Sequence, residues 1–426
     1  MPHDVRATID AIWRIESAKL IAGVARLVRD VGLAEDVAHD ALVAALERWP
    51  EAGIPDNPGA WLASVARMRA IDVIRRNDRL RAKAQLLARD LELAATDDGD
   101  PALVAQREVQ DDMLRLIFIA CHPVLSTEAR VALTLRLVGG LTTEEIARAF
   151  LTPLATIAQR IVRAKRTLTE ARVPFELPSA RERAARLGSV LEVVYLIFNE
   201  GYLATAGDDW TRPALCEDAL RVGRVLAELT PDESEVHGLV ALMEIQASRL
   251  RARRGPAGEA VLLLDQDRGR WDRLLIGRGL AALERAERTG TPLGPYGLQA
   301  AIAATHARAR TNEETDWHRI VALYDALATV APSPVVALNR AIAVGMAYGA
   351  AAALEIVDAL ADEPALRAYP YLPSVRGDLL LKLGRRDDAR ADFERAAALT
   401  SNARERAFLL ERAHGIARGA GAAQRP

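Results

Sequence analysis

Apolar positions along this chain recur every three or four residues almost from end to end. No convincing alternation of period two runs beyond four residues, so the pattern predicts helices and no sheet. Two stripes show it well: Leu62, Ala66, Ala70 and Val73, and further on Ile157, Ile161, Ala164 and Leu168. Breakers divide the helical pattern into three blocks. The first covers about 5–85 and gives way to "ATDDGDP" (95–101), which reads as a solvated linker. The second runs from about 103 to 173 and stops at "VPFELP", where two prolines end the helix. The third takes up everything from about 180 onward, with turns at "RRGPAGE", "TGTPLGPYG" and "VAPSPV". Near its end, "LKLGRRDDARADFERAAAL" places Gly384, Ala389, Phe393 and Ala396 at offsets of five, four and three, as in the second half of a tetratricopeptide unit. A similar stretch precedes it at a spacing of 39, from Pro334 to Pro373, looser than the usual 34.

The stretch "GLTTEEIARAFLTPLATIAQRIVRAKRTL" (140–168) combines several signals of a helix-turn-helix. "TTEE" predicts a capping box ahead of an apolar run. Ala147 supplies the small residue the first helix needs against its partner, and Ile157, ten residues on, the buried anchor of the second. Thr152 and Pro153 predict an N-cap and an N1 proline. Opposite the apolar stripe of the second helix stand Gln159, Arg163 and Arg166, with Thr156 at its front and Arg160 on the flank. Such a face suits entry into the major groove, where base edges and phosphates are both in reach. Leu151 departs from the pattern by occupying the turn position where glycine is commonest.

Charge sharpens this picture only when read locally. The 426 residues carry a net charge of −2, yet residues 61–83 hold seven basic residues against Asp72 and Asp78, and residues 155–172 hold five against Glu170. Between them, residues 90–112 contain eight acids and one arginine. Two basic elements joined by an acidic connector is an arrangement the whole-chain total hides. Half of the residues are hydrophobic and 4% are aromatic, a composition of globular helical material. Cys121 and Cys216 cannot form a CxxC site. The seven histidines do not cluster, and no glycine loop for phosphate appears, so no enzyme is expected. The amino-terminal residues lack the apolar core of a signal peptide, and no apolar run approaches the ~20 residues that span a bilayer. A cytoplasmic protein without membrane contact is expected.

The first basic element begins at "DNPGAW", with Asn57 as N-cap, Pro58 at N1 and Trp61 in the first turns. An aromatic at the mouth of a basic helix suits separated strands, whose unstacked bases can lie on its face. Trp61 as a plain core residue is the alternative. At this point the two blocks together resemble a known family: sigma factors of the extracytoplasmic-function (group 4) type. "AEDVAHDALVAALERWP" (34–50) is similar to the helix ahead of the promoter-melting loop, and "GAWLASVARMRAIDVIRR" to the segment that reads the minus-ten element. The helix-turn-helix is similar to region 4, which reads the minus-thirty-five element.

The resemblance implies an all-α chain: a region 2 helical bundle (5–85), an acidic linker (86–106), a region 4 helix-turn-helix domain (107–175) and a helical extension (180–426) with TPR-like repeats near 334–400. It implies as partners core RNA polymerase, through the β′ clamp and the β flap, and promoter DNA, with no cofactor and no metal. Asp36, His39 and Asp40 stand where the family grips the clamp, His39 replacing the usual glutamine. The DNA-facing set becomes Trp61, Arg67, Arg75, Arg76 and Arg79 in region 2, with Thr156, Gln159, Arg160, Arg163 and Arg166 in region 4. Met68 stands where the family often has asparagine. A metal site of Asp36, His39 and Asp40 would lack a fourth ligand nearby.

The extension is similar to that of one sigma subgroup through "YLIFNEGY", "DQDRGRW", "GPYGLQAAIAATHA" and "TDW". Its Asn199, Glu200, Asp265, Asp267, Asp316 and Trp317 are of the kinds that line a pocket or that cap and pin helices. A protein or peptide partner for the TPR-like part is expected. The competing function is a one-component transcriptional regulator, which leaves residues 34–83 unexplained.

Overall fold

The structure, a computed structural model, describes residues 2–76, 101–203, 211–255 and 261–422. Among these the regular structure is helical, and the chain divides into two compact units, Met1–Leu196 and Ile197–Pro426.

The first unit opens with three helices, α1 (Pro2–Val28), α2 (Val31–Ala52) and α3 (Pro58–Arg76), which pack against one another. Asp30 begins α2 by accepting a hydrogen bond from the Leu33 N–H at 2.8 Å. Along α2, Ala34, Ala38, Ala41 and Ala45 are fully buried at helical spacing, so the neighbouring helices approach closely. Asn57 caps α3 through the Ala60 N–H at 3.0 Å, and Leu62, Ala66 and Ala70 turn inward as the pattern predicts. Arg79 and the acidic residues 90–100 lie outside the described residues.

Helix α4 (Pro101–Ala120) packs on α1. The last three acids of the connector, Glu108, Asp111 and Asp112, therefore sit within a helix, with Glu108 and Asp112 both paired to Arg26 of α1 and Asp112 also to Arg115. Then come α5 (Thr127–Leu137), α6 (Thr143–Ala149) and α7 (Leu154–Glu170). The capping box is present: Thr142 accepts from the Glu145 N–H at 3.1 Å, and Glu145 accepts from the Thr142 N–H at 2.8 Å. Thr152 corrects the sequence reading. Pro153 is the N-cap of α7 and Leu154 its first helical residue, while the Thr152 hydroxyl donates back to the Phe150 carbonyl at 3.1 Å. The turn closes through that bond and through the Thr152 N–H on the Ala147 carbonyl, so the threonine finishes α6 and does not cap α7.

Helix α8 (Ala180–Tyr202) carries the boundary between the units. Its first half belongs to the first unit. Val190, Val193 and Val194 are fully buried, Ser189 donates to the Cys121 carbonyl at 2.9 Å, and Arg130 pairs with Glu192 at 3.2 Å.

The second unit continues with α9 (Pro213–Leu229), α10 (Ser234–Ala247), α11 (Arg273–Arg288), α12 (Pro295–Arg308) and α13 (Trp317–Val330). Helix α10 is buried on nearly every side, and Gly238 explains how α12 comes so near: a Cβ there would fall 2.6 Å from the Gly297 nitrogen. Glu235 of α10 receives the Tyr296 and Gly297 N–H groups at 2.8 and 2.9 Å, satisfying the open end of α12. The unit ends with α14 (Pro334–Tyr348), α15 (Ala350–Ala359), α16 (Tyr371–Lys382), α17 (Arg386–Leu399) and α18 (Ala403–Ala422), each packed on its neighbour in sequence. Ala389, Phe393 and Ala396 are fully buried here, whereas Gly384 forms the turn at φ 79°. The close approach between α16 and α17 is made by Gly377, where a Cβ would meet Phe393 at 3.1 Å.

Candidate polymerase and nucleic-acid interfaces

Helix α7 is used on three sides. Ile157, Ile161, Ala164 and Leu168 form its buried stripe against α5 and α6. Thr156, Gln159, Arg163 and Arg166 are exposed together on the opposite side, with Arg160 half-buried at the flank. Arg166 pairs with the equally exposed Glu170 at 2.6 Å, a contact worth little in water. The third side, Lys165 and Thr169, faces α2: Thr169 donates to the Asp30 carboxylate at 2.9 Å, and Lys165 forms an ion pair with Glu35.

Glu35 joins the two halves of the first unit. It is 3% exposed, and Arg136 of α5 reaches it at 2.6 Å. Burial alone would raise its carboxyl, but the charges of Lys165 and Arg136 outweigh that and hold it below the ordinary carboxylate range. Arg136 also donates to His39 Nε2 at 2.8 Å and to the Leu141 carbonyl at 3.1 Å. Because an arginine can only donate, His39 Nε2 accepts and its Nδ1–H donates to the Glu35 carbonyl at 2.9 Å, which sets the orientation of the ring. A further link, Arg14 to Glu145, ties α1 to the start of α6. None of Glu35, Arg136 or Arg14 stands out from the sequence.

Of the three residues expected from the sequence to meet the clamp, Asp36 and Asp40 are exposed and His39 is half-buried, its ring 5.3 Å from that of Trp13. Asp40 pairs with Arg69 of α3 at 3.1 Å. On α3, Arg67, Met68 and Arg75 are exposed, and Arg76 is the last of its described residues. Trp61 is half-buried with its ring edge-on to the buried Trp49 at 5.3 Å, so one part of it belongs to the core while another meets solvent. Among the described residues no three His, Cys, Asp or Glu side chains gather as a metal ion would need, and no helix is long and apolar enough to cross a membrane.

In the second unit, the polar residues singled out from the sequence act mainly as caps and pins. Asp267 accepts from the Gly269 N–H at 2.8 Å and Asp316 from the Arg319 N–H at 2.9 Å. Glu200 pairs with Arg212, and Trp317 packs edge-on to His306 at 5.1 Å.

Comparison with known proteins decides what these elements are. Residues 15–80 match sigma-70 region 2, and residues 115–168 match sigma-70 region 4. The chain carries regions 2 and 4 of a sigma-70 factor. Residues 186–287 of this sigma factor match a family of unknown function, DUF6596. Among its relatives is "Uncharacterized protein R00370" of Rhizobium meliloti (strain 1021), 45% identical over 390 residues, 90% of each chain. Another is "Probable ECF RNA polymerase sigma factor SigI" of Mycobacterium tuberculosis (strain ATCC 25618 / H37Rv), 30% identical over 179 residues. That match covers 41% of this chain and 59% of the mycobacterial protein. The region 2 match accounts for the residues that a one-component regulator leaves unexplained, and that reading is not favoured.

Proposed function

We propose that this sigma factor docks on the β′ clamp of core RNA polymerase through the exposed edge of α2, with Asp36 and Asp40 at its centre and His39 beside them. Region 4 then reads the minus-thirty-five element through Thr156, Gln159, Arg163 and Arg166, with Arg160 toward the phosphates, and seats on the β flap. Region 2 handles the opening minus-ten strand through Trp61, Arg67, Arg75, Arg76 and Arg79. The observation that carries this reading is the shape of α7: its basic face is solvent-exposed while the same helix is anchored on its two other sides. A recognition surface held this way needs no reorganisation to meet a groove. The TPR-like end of the extension receives a protein or peptide partner.

The test is run-off transcription with purified core polymerase on the DNA upstream of the protein's own gene. Specific initiation that requires the added chain is the expected result. Tight operator binding by the isolated chain, with no transcript, would sink the proposal in favour of a one-component regulator.

A further inference from the structure

The second unit holds a buried positive charge with no counter-charge on it among the described residues. Arg249, just past the end of α10, is 7% exposed. Its guanidinium carbon lies near two rings, 5.9 Å from the centroid of Tyr202 and 5.7 Å from that of Trp271. Its Nε is buried without a hydrogen-bond partner, and among the described residues its guanidinium enters no hydrogen bond or ion pair. Buried arginines are ordinarily paired, because an isolated charge out of water is expensive.

The surroundings add to the positive charge. Arg253 stacks on Tyr202 at 4.1 Å, and its Nε also lacks a partner. Arg268, itself buried, lies 5.1 Å from the Trp271 centroid. It serves as a clasp, donating to the carbonyls of His306 and Ala309 at 2.7 and 2.8 Å, to Asn312 at 2.7 Å and to Thr315 at 3.0 Å. Its hydrogen-bond partners are all neutral dipoles, and the charges that offset its own are those of Glu313 and Glu314. The local field is visible in its neighbours. Burial and then Arg249 and Arg268 push the His306 imidazole down to about 3, which keeps it neutral. Burial would raise the Tyr202 hydroxyl, but Arg249 and Arg253 outweigh it and draw it below its ordinary value.

We propose that Arg249, framed by Tyr202 and Trp271 and supported by Arg253, is the receptor for a phosphate or carboxylate group of a small molecule bound in the second unit. A guanidinium offers a planar fork of donors that matches either oxyanion bidentately. This goes beyond promoter recognition, since it gives the extension a chemical input of its own.

The experiment is thermal unfolding of the full-length protein with inorganic phosphate or sodium acetate, each against sodium chloride at equal ionic strength, in the parent and in Arg249→Met. Methionine keeps an unbranched apolar stem and removes the charge. In the parent, phosphate or acetate at ten times its dissociation constant is expected to raise Tm by about 3–6 °C. Phosphate acting alone assigns a phosphate ligand, and acetate acting alone or as well assigns a carboxylate. In Arg249→Met the rise is expected to vanish, while Tm in chloride stays equal to the parent's or exceeds it, because an uncompensated buried charge has gone. Three outcomes overturn the proposal: no anion raises the parent's Tm above chloride, the variant responds like the parent, or the variant in chloride melts several degrees lower. The last would mean that Arg249 is a packing residue held by its two rings. Arg249→Lys separates charge from fork: it retains the charge and is expected to lose most of the response.

Discussion

Two residues show how much this fold asks of single positions. Leu151 stands in the left-handed region at φ 48° and is 56% exposed, so it bears the cost of an unfavourable backbone without burying its side chain. Such a conformation costs a non-glycine residue about 1–2 kcal/mol, while glycine loses about 0.5–1 kcal/mol through its freer unfolded chain. Leu151→Gly should therefore stabilise the protein by up to about 1 kcal/mol in urea denaturation, and a loss of stability would show that the leucine makes contacts worth more than the strain. Glu35 is the opposite case, a buried acid between two cations. Glu35→Gln leaves Arg136 and Lys165 without their counter-charge and should cost about 3–5 kcal/mol at neutral pH. Its folded carboxyl sits below the ordinary value of 4.5, so its contribution is fully present above that pH and is lost as pH falls through the folded value. The gap between parent and variant should close on acidification. A gap of the same size at pH 3 as at pH 7 would show that the carboxylate charge is not what holds α2 to α5 and α7.

At the scale of the element, α7 makes separable expectations because its three faces do different work. Arg163→Ala and Arg166→Ala lie on the exposed face, so both should leave stability within about 0.5 kcal/mol and weaken binding of the holoenzyme to its promoter. A variant that loses a phosphate contact should lower the salt slope by about one unit, and one that loses a base contact should cost about 1–3 kcal/mol and relax preference at one position. If both direct transcription like the parent, the face is not the reading face. On α2, Asp40→Ala removes an exposed pair with Arg69, which should change stability by less than about 1 kcal/mol, yet it should weaken co-purification with core polymerase. Unchanged co-purification would remove Asp40 from the docking surface. These faces were legible in the sequence because they depend on spacing alone: the stripe at 157, 161, 164 and 168 and the capping box of Thr142 and Glu145 appear where the pattern places them. The Glu35 cluster was not legible, since Arg136 lies 101 residues away and only folding brings the charges together. The role of Thr152 was misread for a related reason. A hydroxyl before a proline fits an N-cap and a back-bond to the preceding turn equally well, and the local geometry chose the second.

At the scale of the whole molecule, α8 is the element that links the sigma regions to the extension, and it cannot be divided without cost. Its first half buries Val190, Val193 and Val194 in the first unit, and its last turns carry Phe198 and Tyr202 into the second. A truncation at 178 would thus strip region 4 of packing it uses, whereas one at 203 leaves the helix whole. A truncation at 333 removes α14–α18, including Ala343 and Val344, which cover Leu298, Ile302, Ile320, Val321 and Leu327. Fusion also gives any contact between extension and sigma regions an effective concentration on the order of millimolar, so a weak contact suffices to organise them. The expected outcome is loss of run-off transcription in both the 1–333 and 1–203 chains. The shorter chain should keep its helical circular dichroism, and the longer one should melt at lower temperature because its apolar face is uncovered. The fold check matters, since an unfolded truncation would be silent for a trivial reason. A folded 1–203 chain that transcribes more strongly than the full-length protein would reverse the sign of the argument: the extension would then be a brake on the sigma regions.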